Sequence, residues 1–260
     1  MTGKQKIALT VVLVLFLIVT IVAVKWIYFP SVKDTWFQFS AQKLRQVPEG
    51  LVIVRPTHFP KSLHKGILAI GMKGTRWVLG RNVPLQQVMA VAYNYNFARI
   101  ELPSDAPTND FDFLVTTLSK PDEHLRSAIQ KKLGYVAHPE ARDTDVLALK
   151  VIDASLPGLK VSDGSEKPNV IFQNRKINFT HMPLTVIASD LEQMLTTPVV
   201  DKLGLTNFYD YSLDWTEQTQ RQMRNGTMTR AAVEKILAAW GLGLQADTAS
   251  IQMLVVEKAN

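Results

Sequence analysis

Two stretches of this chain carry the same series of local signals in the same order, and that repetition restricts its architecture more than any other feature. Val83-Pro84-Leu85 opens one apolar-periodic segment and Met182-Pro183-Leu184 opens another. Leu85, Val88, Met89 and Ala92 recur at helical spacing, as do Leu184, Ile187, Ala188 and Leu191. In both, proline stands in the first turn, where its missing N–H costs nothing, and Asn82 or His181 would lie near the N-cap. A strand-like segment follows each time, Phe111-Asp-Phe-Leu-Val115 and Tyr209-Asp-Tyr-Ser-Leu213. Alternation sets Phe111 and Phe113 against Asp112, and Tyr209 and Tyr211 against Asp210, with the aspartates expected toward solvent. A second helix then ends at a glycine suited to a left-handed C-terminal position, Gly134 or Gly241. Ser119-x-x-Asp122 reads as a capping box for the first of these helices. Each half closes on a strand, Val146–Ile152 or Ile251–Val256.

With the strands expected before the first helices (Leu51–Arg55 with Trp77–Leu79, and Val170–Phe172 with Ile177–Phe179), each half reads βαββαβ. The expected organisation is a tip and anchor over 1–30, a juxtamembrane stalk or helix over 31–50, and a first half over 51–154. A linker over 155–168 (Ser155-Leu-Pro-Gly158 to Lys167-Pro168) and a second half over 169–260 complete it.

The anchor is expected from Ile7–Val24, an uncharged run that with Trp26, Ile27 and Tyr28 is long enough to cross a hydrocarbon core of about 30 Å. Lys4 and Lys6 on its short side place the N-terminus in the cytoplasm and the rest outside, by the positive-inside rule. A cleaved signal peptide is disfavoured because the run is long and Ile21-Val-Ala-Val-Lys-Trp26 offers no good cleavage site. Residues 7–28 would thus contact the lipid bilayer, giving a single-pass cell-membrane protein with a periplasmic or otherwise extracytoplasmic domain.

The chain carries 29 Lys and Arg against 23 Asp and Glu, but Lys4, Lys6 and Lys25 flank the apolar run, so the remainder is only slightly basic. No dense basic run with interleaved aromatics occurs there, which argues against a nucleic-acid partner. Cysteine is absent, so disulfides, thiolate metal sites and cysteine nucleophiles are excluded together. His58 and His64 have no standard zinc spacing. Ser62, Ser155 and Ser189 lack a nucleophile elbow, and Gly66, Gly71, Gly74 and Gly80 fit neither a phosphate loop nor a dinucleotide fingerprint. No cofactor, metal or catalytic residue is expected. The alternative is a hydrolase using Asp201, Asp210 and His138, against which Asp201 reads as a turn residue and His138 as a structural hydrogen-bond partner. Aromatics are the better lead. Tyr93, Tyr95, Phe208, Tyr211 and Trp215 are expected to supply a partner-binding patch for another envelope protein or a glycan.

The chain resembles the soil-associated protein family, a group of exported or membrane-tethered bacterial proteins of unknown function. The residues that carry this are Val52-Ile-Val-Arg-Pro-Thr57, Arg81-Asn-Val-Pro-Leu85 with Ala92-Tyr93, and Leu133-Gly-Tyr-Val-Ala-His138 through Ala148-Leu149. Pro198-Val-Val-Asp-Lys-Leu-Gly-Leu-Thr206 and Tyr209–Trp215 follow, with Leu242-Gly-Leu-Gln245 and Val255-Val-Glu257 at the end. It departs from the family pattern at Leu203-Gly204, Asn207-Phe208 and Gly134-Tyr135. Each half is also similar to the short N-terminal domain of secretins and TonB receptors (STN), a periplasmic protein-contact module. The resemblance implies an α+β fold with one N-terminal transmembrane helix and two duplicated STN-like halves, acting in binding, signalling or an oligomeric envelope assembly.

Overall fold

The computed structural model describes residues 33–71, 77–117, 119–165, 167–173, 175–214, 217 and 228–259. The first half contains α1 (Ala41–Leu44), β1 (Val52–Pro56), β2 (Gly66–Ile70), β3 (Trp77–Val83), α2 (Leu85–Tyr93), β4 (Ile100–Glu101), β5 (Phe111–Val115), α3 (Pro121–Leu133) and β6 (Tyr135–Val151). The second contains β7 (Lys160–Val161), β8 (Asn169–Gln173), β9 (Lys176–Pro183), α4 (Thr185–Leu195), β10 (Val199–Asp201), β11 (Phe208–Asp214), α5 (Arg230–Ala239) and β12 (Leu242–Lys258).

The strands form three four-stranded sheets, ordered β1-β5-β3-β2, β7-β11-β9-β8 and β10-β6-β12-β4. The first two have the same order, element for element, in the two halves. The third is shared. β6 and β12 pair antiparallel along their whole length, from Tyr135 opposite Lys258 to Val151 opposite Leu242. β4 of the first half joins β12 in parallel, with Ile100 opposite Leu254, while β10 of the second joins β6, with Val199 opposite Leu147.

The expected fold class is therefore corrected to a mixed α/β protein with three sheets and, among the described residues, five α-helices. Two self-contained STN-like βαββαβ halves are not what forms. Each closing strand begins in its own half's core and ends in the other's. Tyr135 packs with Leu85, Phe113 and Ile129 of the first core, but Leu147 and Leu149 pack with Leu184, Leu191 and Tyr211 of the second. Leu242 and Leu244 lie in the second core, and Leu254 and Val256 in the first. Reaching from one core to the other is what makes these strands so long. The bridging stretch Glu140–Asp145 has no apolar alternation and is largely exposed, so it reads as a loop in sequence. Backbone pairing with β12 holds it extended, helped by the ion pair of Arg142 with Glu101 on β4.

The single-pass membrane assignment is corrected as well. Among the described residues no helix is long and apolar enough to cross a membrane, and residues 7–28, where the span was expected, lie outside the described residues. A cytoplasmic N-terminus and a periplasmic domain lose their support with it.

The first sheet is covered on both faces. Val54, Val78, Phe113 and Val115 face α2 and α3, while Ile53, Leu79 and Leu114 face Phe37, Leu44 and Val47. Residues 34–47, in the segment expected as a stalk, thus lie against the sheet. The cause is visible in the residues, since Phe37 and Leu44 have no exposed surface. Burying each contributes about 1.5–3 kcal/mol. The double cover also buries Asp112, expected toward solvent. Its carboxylate accepts from the backbone N–H of Asn82 (3.2 Å) and from Arg55 Nε (3.4 Å). A buried carboxylate persists only with such partners. Asn82 does not cap α2; it takes a left-handed φ of 52°, and Pro84 occupies the N-cap. His181 repeats this at φ 51°, its N–H donated to Asp210 at 2.9 Å. Ser119 does not cap α3 either, because Lys120 in a left-handed conformation stands at the N-cap.

Candidate functional site

Of the aromatic residues expected to form one patch, Tyr93 and Tyr95 lie in the first half and Phe208 and Tyr211 in the second. The Tyr93 hydroxyl accepts from the N–H of Ala137 at 3.0 Å, and the Arg126 guanidinium lies 5.3 Å from its ring centre. Tyr95 is half-buried against the first core. Tyr211 is buried in the second core, stacked on Phe179 at 4.6 Å and edge-on to Trp240 at 5.2 Å. Burial, reinforced by the negative charge of Asp190, pushes the Tyr211 phenol up to about 12. Phe208 is the exposed member, lying flat on the His181 ring at 4.3 Å. Trp215 lies outside the described residues.

His138, Asp201 and Asp210 do not converge. Asp201 pairs with Leu149 on β6, some 35 Å of extended strand from His138 on the same strand. The Asp201 carboxylate accepts from the N–H of Leu203 at 2.9 Å and closes a local turn. His138 lies exposed near Glu140 (3.5 Å) and Glu257 (3.8 Å). Asp210 is committed to the backbone of His181. Among the described residues no group of three or more His, Asp and Glu side chains could hold a metal ion.

What the fold builds instead is a cleft of about 540 Å³ on the second sheet, between the Pro157–Ser165 segment and the middles of β9 and β11. Asn178 and Ser212 lie directly opposite each other, so they share a face of the sheet. Phe179 and Tyr211, also directly opposed, occupy the other face and the core. Thr180, Asp210, Lys160, Ser162 and Ser165 complete the polar lining. The Ser162 hydroxyl is 3.1 Å from His181 Nδ1, so the exposed Phe208–His181 stack borders the cleft. Asp163 holds the rim turn by accepting from the N–H and hydroxyl of Ser165 at 2.9 and 2.5 Å, which keeps its carboxyl below the usual range.

The first half shows what is particular about this face. Its matching strand pair is Leu79 opposite Leu114, and those leucines are covered by Phe37 and Leu44. In the second half an amide and a hydroxyl stand in their place, Ser212 is exposed, and a cleft lies where the first half has packed side chains. Sequence reading notes Asn178-Phe-Thr180 only as a chance sequon and does not single out Ser212. The available signal was the contrast between the repeats, Leu79 and Leu114 against Asn178 and Ser212 at equivalent strand positions.

A second cavity, about 410 Å³, lies where the halves meet, lined by Asn96, Arg99, Ser189, Glu192 and Asp201 among others. Its centre is an ion pair. Arg99 grips the buried Glu192 carboxylate through Nε and Nη2 at 2.8–2.9 Å, and Glu192 also accepts from the N–H of Val199 at 3.0 Å. The bond to Glu192 raises the Arg99 pKa above its ordinary value. The Glu192 carboxylate is engaged on both oxygens by internal bonds, and the pair acts as a tie between halves.

Residues 86–259 match the family of proteins of unknown function DUF3738, a match that runs from α2 to the end of β12. The chain belongs to that family. The DUF3738 match spans both copies of the helix-strand-helix-strand series and the whole shared sheet, whereas β1 to β3 and the covering segment 34–47 precede it. Neither the curated proteins nor the solved structures gave a match.

Proposed function

We propose that this DUF3738 protein is a non-enzymatic binding module and that the polar cleft of its second half takes a polyhydroxylated ligand, a glycan chain being the chemistry that fits. The observation that carries this reading is the lining. Ser162, Asn178, Thr180 and Ser212 offer neutral groups that both donate and accept, and the charges among them are mixed, Lys160 against Asp163 and Asp210, which matches sugar hydroxyls better than a ligand with a strong charge of one sign. The flat Phe208 ring beside the cleft provides an apolar surface against which a sugar ring can lie. The dispersal of His138, Asp201 and Asp210 weighs against the hydrolase alternative.

Saturation-transfer NMR of the full chain with a panel of oligosaccharides tests it, paired with Ser212→Trp. Ser212 is exposed, so the indole fills the cleft without entering the core. Binding of at least one saccharide by the native chain, weakened roughly tenfold or more (about 1.4 kcal/mol) in the variant at unchanged thermal stability, is the expected outcome. A panel without binders, or binding indifferent to the tryptophan, ends this reading. Turnover of a bound saccharide would restore the hydrolase.

A further inference from the structure

Charge is divided unevenly along the chain. Residues 33–83, from the covering segment to the end of β3, hold nine Lys and Arg against two acids, Asp34 and Glu49. Residues 84–260 hold 17 against 21. The DUF3738 match starts at residue 86, so the basic part is the part that precedes it. Cations gathered on one region of a fold raise the local potential well above what the net charge of the chain suggests.

The fold sorts these cations into two groups. Arg55 and Arg81 are used internally. Arg81 donates from Nη1 to the carbonyl of Phe37 at 2.9 Å, and from Nε and Nη2 to the carbonyl of His64 at 3.0 and 2.8 Å. It thereby staples the covering segment to the loop over 57–65, where Phe39 also meets the His64 ring edge-on at 4.6 Å. Arg55 is held by Asp34 and Asp112. Lys33, Lys43, Arg45, Lys61 and Lys65 are exposed on the two segments that this staple joins. Asp34, engaged by Arg55 and His58, does little to offset them. Residues 1–32 and 72–76, which adjoin this region in sequence, contain no Asp or Glu. The positive sign of the face therefore does not depend on where they lie.

The same sorting indicates the partner. A planar guanidinium fork is the group suited to gripping phosphate through paired bonds, and Arg55 and Arg81 are occupied by the protein's own carbonyls and carboxylates. The nearby rings, which could otherwise stack nucleobases, are in contact with those arginines and with the two histidines: Phe37 and Phe39 lie 4.7 and 4.9 Å from Arg55 and Arg81, and Phe59 stacks on His58 at 4.9 Å. What faces outward is mainly lysine, a compact point charge on a flexible stem. Four such charges and one arginine suit a string of carboxylates, which they can follow without fixed geometry. We infer that this basic face binds a linear acidic polysaccharide, a chain with a carboxylate on each sugar, at a surface separate from the cleft. The inference does not rest on the cleft reading. Single solvated ion pairs contribute little and are screened over about 10 Å at 0.1 M salt. Binding therefore needs several lysines at once and weakens steeply with salt.

Fluorescence polarisation of end-labelled polygalacturonate with the full chain at low ionic strength tests this, with uncharged dextran, duplex DNA and vesicles of anionic lipid as comparisons. Polygalacturonate should bind, dextran should not, and added salt should release the bound polymer. Lys61→Glu with Lys65→Glu should weaken binding roughly tenfold or more. Lys131→Glu with Lys235→Glu changes the net charge equally, at exposed positions on α3 and α5, and should weaken it less than about twofold. Lys33→Glu with Lys43→Glu, on the covering segment, should act like the loop pair and decides the matter if that pair fails to fold. Circular dichroism of each variant should match the native chain. No binding of polygalacturonate, equal losses from the control pair and the folded pairs of the basic face, or tighter binding of DNA or vesicles than of polygalacturonate would each overturn the inference. Ser212→Trp should leave this binding unchanged; its loss there would show that the two surfaces are not separate.

Discussion

Tyr211 shows how a side chain that looks like a surface contact becomes part of the core. Strand alternation correctly puts Tyr209 and Tyr211 on one side of β11, but alternation carries no label for which side is buried. Stacked on Phe179 and edge-on to Trp240, the Tyr211 phenol is held neutral and titrates near 12. An unfolded tyrosine ionises near pH 10. The contribution to stability is therefore complete below about pH 10, and it is lost as pH rises through 12, because the unfolded chain releases its proton first. Denaturant midpoints measured from pH 9 upward should fall across this window, and Tyr211→Phe should remove part of that slope; an unchanged slope would contradict the burial. Asp112 failed in the opposite sense. Its alternation with Phe111 and Phe113 predicts solvent, and it is buried because the face it shares with Leu114 is covered too. What covers it comes from residues 34–47, distant in sequence, so no local pattern at Asp112 could have revealed it.

The helices and most strands were legible because their signals are local: apolar spacing in α2 and α4, and glycine at the end of α3, where Gly134 adopts φ 74°. β6 was legible only over its apolar end, since its exposed middle is extended through a partner far along the chain. The segment 34–47 is a further case of long-range placement. Phe37 and Leu44 seat it on the first sheet, and Asp34 fastens its start through His58 (2.9 Å) and Arg55 (2.9 Å). Those two bonds, the histidine contact first, hold the Asp34 carboxyl below its ordinary value of 3.8. A depressed carboxylate stabilises the fold above about pH 4, and that stabilisation disappears as pH falls through the lower folded value. Acidification should therefore loosen this segment early, seen as a shift in Trp36 emission below about pH 4. Asp34→Asn should remove the pH-dependent step while weakening the attachment at neutral pH. The effect is modest, because the pair is largely exposed.

The repeated order of local signals was readable in the sequence, yet the way the elements combine was not. Strand partners are chosen by whole-sheet complementarity, and β6 has apolar residues suited to either core. The exchange of β4 and β10 onto each other's closing strands, with the Arg99–Glu192 pair beside them, makes each half incomplete without the other. Residues 1–154 and 155–260 produced separately should each lack cooperative unfolding, since the first lacks Leu254 and Val256 and the second lacks Leu147 and Leu149. Mixing the two fragments should restore a cooperative melt; independent folding of either would refute the shared core. The same exchange has a temporal corollary. Tyr135 meets Lys258, nearly half the chain away, and contacts so distant slow the search for the native state. During synthesis β6 emerges well before β12, so most of its length waits for a partner strand until the second half has been delivered.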